Sequence, residues 1–63
     1  MQFGERLKEL RSAKGMTQKD LAEKINISRQ AVSRWENNEV EPSLETLRRL
    51  AEIFDVSMDD LFG

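Results

Sequence analysis

The 63 residues predict an all-α fold, a compact five-helix domain. Three observations predict it. Apolar residues recur at helical spacing in separate stretches: Leu21, Ala22 and Ile25, then Ala31, Val32 and Trp35, then Leu44, Leu47, Leu50, Ala51 and Phe54. Thr17, Ser28, Ser43 and Ser57 stand just ahead of the later stretches, where a side-chain oxygen caps the first free N–H groups of a helix. Gly15 and Asn26 stand where helices should stop, and both residue types tolerate the left-handed backbone of a helix end.

The first helix is expected over about Gln2–Lys14, with Phe3, Leu7 and Leu10 inward and Gly15 as its stop. The second covers about Gln18–Lys24. Thr17 caps it, and Asp20, three residues on, completes a weak capping box. The third covers about Arg29–Asn37, capped by Ser28, with Trp35 on its buried stripe. Asn38–Pro42 reads as a polar loop with one apolar residue, Val40. Ser43 caps the fourth helix, whose stripe runs from Leu44 to Phe54. Ser57 caps a last turn or two, with Asp60 at the capping-box position and Leu61 and Phe62 facing inward or toward a partner. No repeat, low-complexity stretch or linker divides the chain, so one domain over residues 1–63 is expected.

Composition excludes several classes. Without Cys or His, disulfides, zinc sites and thiol chemistry are excluded. No apolar run approaches the ~20 residues of a membrane span, and MQFGERLKEL lacks the apolar core of a signal peptide. The expectation is a cytoplasmic protein without membrane, metal or cofactor. An enzyme is not expected either. There is no His, Cys or Tyr and no Gly-rich phosphate loop, and the acids toward the C-terminus have solvated helical spacing. A chain this short buries only ~60% of its unfolded surface, so a partner subunit would help it.

The formal charge is −2, which on its own argues against a nucleic-acid partner. Its distribution argues differently. Residues 1–34 hold eight Lys/Arg against four acids, whereas residues 35–63 hold two against eight. An acidic rear face keeps such a molecule soluble and weakens non-specific attachment to DNA.

The basic half contains the third helix. With Ala31, Val32 and Trp35 inward, Arg29, Gln30, Ser33 and Arg34 face out. A helix fits the major groove of B-DNA and presents its N-terminal side chains to base edges. Arg prefers the O6/N7 pair of guanine, and Gln can pair with N6/N7 of adenine. These four are the candidate base-contacting residues. Trp35 is assigned to the core, not to base stacking.

The stretch TQKDLAEKINISRQAVSRW resembles the helix-turn-helix of the phage repressor and Cro family, also called the XRE family. RLKELRSAKGMTQ upstream is similar to that family's first helix and turn, and WENNEVEPSLETLRRLAEIFDVSMDDLF to its loop and last two helices. The resemblance covers nearly the whole chain. Asp55 stands where the family commonly has Gly. The resemblance implies a phosphate site at the start of the second helix, involving Gln18 and Thr17. Free N–H groups and the positive end of the helix dipole favour an anion there on physical grounds as well. It also implies an Arg11–Glu36 pair tying the first helix to the third, with the guanidinium near the DNA backbone. Ser28, Asn37 and Asn38 complete the candidate phosphate contacts. Where better-known repressors often carry basic residues after the third helix, this chain carries Glu39 and Glu41, which would repel phosphate unless turned away.

The expected function is a sequence-specific, double-stranded DNA-binding transcriptional regulator, with repression as its mode. It is expected to act as a homodimer on an inverted-repeat operator. Ile53, Val56, Met58 and Leu61 are the candidate dimer surface, with Phe62 beside them. A purely protein-binding module on the same fold stays open. Duplex binding that fades with salt discriminates the two.

Overall fold

The computed structural model describes residues 3–63. It contains α1 (Phe3–Ala13), α2 (Gln18–Lys24), α3 (Arg29–Glu36), α4 (Leu44–Phe54) and a closing 3-10 turn, Asp59–Phe62. The architecture is all-helical. The expected fifth helix is that 3-10 turn, so the described residues hold four helices and a turn. Ser57 Oγ accepts from the Asp60 main-chain N–H at 3.1 Å and starts it. It runs for four residues, Asp59–Phe62. Gln2, expected at the start of the first helix, lies outside the described residues.

The caps explain where each later helix begins. Thr17 Oγ1 accepts from Asp20 N–H at 3.0 Å while Asp20 Oδ2 accepts from Thr17 N–H at 2.9 Å, a reciprocal box. Ser28 and Ser43 accept from Ala31 N–H and Thr46 N–H. Each such cap stabilises by about 1 kcal/mol.

The four helices end alike. In each, a residue with positive φ turns the chain, its N–H bonds back to one carbonyl, and the next N–H bonds to the carbonyl five residues earlier, the Schellman pattern. Met16 N–H donates to Arg11 O, Ile27 to Ala22, Glu39 to Arg34 and Val56 to Ala51, all at 2.9–3.0 Å. The turning residues are Gly15, Asn26, Asn38 and Asp55, with φ of 68°, 58°, 60° and 55°. Asp55 thus adopts the backbone for which glycine is the usual choice.

The core gathers Phe3, Leu7, Leu21, Ala22, Ile25, Val32, Trp35, Leu50, Ala51, Phe54 and Leu61. Full burial of an aliphatic or aromatic side chain contributes about 1.5–3 kcal/mol each, so this cluster is what holds α3 in place. Trp35 lies in it, 6% exposed. Leu10 and Leu47 pack against its edge. Leu44, expected on the inward stripe, is 65% exposed. It opens α4, where no element covers it; Leu47 is half-buried and the buried stripe begins at Leu50. Leu61 is fully buried, so its assignment to a dimer surface is corrected: it plugs the bottom of the core. Phe62 stays partly outside, its ring tilted at 43° against that of Phe3 with centroids 5.4 Å apart.

Gly4 is buried and marks a close approach of two helices. A Cβ there would lie 2.8 Å from the Trp35 carbonyl oxygen and closer still to that of Glu36. Only glycine lets the start of α1 reach the end of α3. Gly4 N–H then donates to Asn38 Oδ1 at 2.9 Å.

Candidate nucleic-acid interface

α3 carries the candidate site. Its N-cap, Ser28, starts the helix so that Val32 and Trp35 point into the core. The helical period then turns Arg29, Gln30, Ser33 and Arg34 to the opposite side. Arg29, Gln30 and Arg34 are exposed and Ser33 is half-buried. All four line one shallow surface groove of about 270 Å³, together with Glu39. The four residues expected to share a face do share it. Glu39 was not expected among them.

The back of α3 is anchored by ions. Arg11 and Glu36 come together: Arg11 Nε donates to Glu36 Oε2 at 2.7 Å and its Nη2 to Oε1 at 3.2 Å. Arg11 Nη1 also donates to the Met16 carbonyl at 2.7 Å. Glu36 is buried, its side chain only 1% exposed, and it accepts a third bond from Gln18 Nε2 at 3.0 Å. A charge so placed is tolerable only because every lone-pair direction in use meets a donor.

These contacts limit what three of the candidate phosphate residues can offer outward. Arg11 spends three of its five N–H groups inside the protein and its side chain is 14% exposed, which leaves two N–H groups for an outside acceptor. Gln18 turns its amide nitrogen toward Glu36, leaving one amide hydrogen for an outside acceptor. Asn38 Oδ1 is taken by Gly4, and its Nδ2 remains. Apart from the Arg11–Met16 bond, five residues apart, none of these contacts had a local signal, because each partner lies 18 or more residues away.

Thr17 and Ser28 are exposed at the starts of α2 and α3, and Asn37 and Asn38 are exposed at the end of α3. The Asp20 carboxyl sits below the usual carboxylate range, chiefly because the Thr17 main-chain N–H bonds to it, with the Thr17 side chain adding to the effect. Ile53, Val56 and Met58 are half-buried and rest on the core from outside. No helix among the described residues is long and apolar enough to cross a membrane, and they hold no group of acids able to bind a metal ion.

Comparison with known proteins agrees with this geometry. A family profile described as helix-turn-helix matches residues 7–61. The HTH-type transcriptional activator BcrR of Enterococcus faecalis is 41% identical over all 63 residues, which span 31% of that protein. The HTH-type transcriptional regulator ImmR of Bacillus subtilis (strain 168) is 43% identical over the same length, 50% of its own. The chain thus spans half or less of these two regulators. Among solved structures, the restriction-modification controller protein C.AhdI from Aeromonas hydrophila superposes with a TM-score of 0.86 at 38% identity, covering 95% of this chain and 91% of that one. By its profile match, its sequence relatives and its fold, the chain belongs to the helix-turn-helix family of the phage repressor and Cro (XRE) type.

Proposed function

We propose that this chain is a sequence-specific, double-stranded DNA-binding transcriptional regulator that lays α3 in the major groove. One observation carries the reading. Arg29, Gln30, Ser33 and Arg34 line a single groove on a helix whose other face is locked into the core. Side chains on such a rigid element hold the register that base recognition requires. Thr17, Gln18, Ser28, Asn37 and Asn38 flank that face with hydroxyl and amide groups suited to phosphate oxygens. BcrR and ImmR carry the names of transcriptional regulators, which supports a DNA-binding role. The compartment that fits the reading is the cytoplasm, alongside the DNA.

Repression is the proposed mode, by occupying a site that other proteins need. One α3 reads only a few base pairs, so the proposed working form is a homodimer on an inverted repeat. Its two recognition helices would lie about one DNA turn apart, ~34 Å. Ile53, Val56 and Met58 are the proposed contact, since they lie half-open on the side where α4 meets the closing turn.

Selection of bound sequences from random duplex DNA tests the whole reading. The expected result is an inverted repeat whose complex holds two chains by analytical ultracentrifugation. Binding without sequence preference would remove base readout. One chain on a single asymmetric site would remove the dimer.

A further inference from the structure

Glu39 is the unexpected member of the reading groove. Its place there is not a loop accident. Its N–H donates to the Arg34 carbonyl at 2.9 Å, closing the end of α3, so its main chain is held on the same rigid element as the four candidate reading residues. Its side chain is exposed and lines the groove with Arg29, Gln30, Ser33 and Arg34. Among the described residues, neither guanidinium forms an ion pair with it. The carboxylate is therefore open to the groove.

The hydrogen-bonding inventory of this surface is otherwise rich in donors. Arg29 and Arg34 only donate, while Gln30 and Ser33 do either. Glu39 alone only accepts. On the major-groove edge, guanine offers acceptors, thymine offers an acceptor and a methyl group, and adenine offers an amine beside the N7 acceptor. A carboxylate is repelled by the first two and by the N7 of the third. Cytosine offers its N4 amine and no acceptor of its own on that edge. Phosphate oxygens are repelled too.

We propose that Glu39 is a specificity-determining residue of the interface, and that its carboxylate selects a cytosine in the half-site by accepting from the N4 amine. This rests on the reading of α3 as the base-contacting helix. Arg34 and Glu39 together then match the two halves of a G·C pair, one donating to guanine and the other accepting from cytosine.

The test is selection from random duplex DNA with the full chain and with Glu39→Ala and Glu39→Gln. Circular dichroism first checks that each variant keeps its helices, as an exposed side chain at a main-chain-bonded position should allow. The expected result is a wild-type motif with one position restricted to cytosine. Glu39→Ala loses that restriction and binds the wild-type site about tenfold more weakly, the scale of one mismatched pair. Other positions stay as they were. Glu39→Gln, which can also donate, admits adenine at that position. If Glu39→Ala keeps the whole motif and binds every duplex more tightly, Glu39 is only a repulsive charge and the proposal is overturned while the base-reading helix stands. If the wild type selects no motif, both fall.

Discussion

Arg11 Nε and Glu36 Oε2 lie 2.7 Å apart, joining the end of α1 to the end of α3 through a carboxylate almost wholly withdrawn from water. Removing the arginine leaves that carboxylate buried with only Gln18 to answer it. Arg11→Ala should therefore lower stability by about 3–5 kcal/mol, the usual result of breaking a buried pair. Replacing both partners with apolar residues, Arg11→Met with Glu36→Leu, should cost much less than either change alone. Urea denaturation of the two single variants and the double variant checks this. Additive losses would mean that the pair contributes nothing as a unit.

Gly4→Ala should destabilise by about 1–3 kcal/mol, because the new methyl group meets two backbone carbonyls that cannot turn aside. Gly15→Ala has open space around it, but φ is 68°, so it should cost about 1–2 kcal/mol through backbone strain alone. Thermal melts followed by circular dichroism measure both. Only the first change should also blue- or red-shift the emission of Trp35, whose carbonyl is in the contact.

Arg29→Ala and Gln30→Ala should each weaken binding to the selected site by about 1–3 kcal/mol and to random duplex by little. Fluorescence anisotropy on both duplexes at two salt concentrations gives the numbers. Equal losses on both would assign the side chain to phosphate.

Gln18→Ala should do two things at once. It removes one bond to the buried Glu36, costing about 1 kcal/mol of stability, and it weakens DNA binding about evenly across sequences. A changed base preference at a single position would contradict the second effect.

The Asp20 carboxyl should titrate by NMR below its ordinary value of 3.8, and Thr17→Ala should move it partway back. A folded-state pKa that is lowered contributes stability above the unfolded value, lost as pH falls through the folded one. The capping-box contribution to α2 should thus persist at neutral pH and disappear only in acid, below about pH 4. Asp20→Asn should remove that acid dependence.

Much of this was legible in the sequence, and for identifiable reasons. Helix period and capping residues act within a few positions, so α2 falls on Gln18–Lys24 as read, and α3 closes one residue earlier than read. The outward face of α3 followed from Val32 and Trp35 being inward. What failed needed the third dimension. Leu44 sits on the stripe by spacing, yet nothing covers the first turn of α4. Leu61 looked like surplus apolar surface but fills the core. The Gly4–Asn38 side-chain bond and the place of the Glu39 side chain in the groove carry no local pattern, because the first is set by how α1 meets α3 and the second by the direction in which the chain leaves that helix. The Arg11–Glu36 pair came from resemblance, since residues 25 apart have no spacing rule.

The Schellman ends have a consequence for the unfolded chain. Three of the four turning residues are Asn26, Asn38 and Asp55 instead of glycine. A side chain at such a position costs something in the native state, at most about 1–2 kcal/mol and less for Asn or Asp. It also narrows the range of shapes the denatured chain explores, which returns about 0.4–1 kcal/mol. The two effects oppose each other at similar size, so Asn26→Gly and Asp55→Gly should leave the melting temperature nearly where it is. At Asn38 the balance tips, because glycine there would strip Gly4 of its hydrogen-bond acceptor. Of the three bends, that one alone is committed to its side chain.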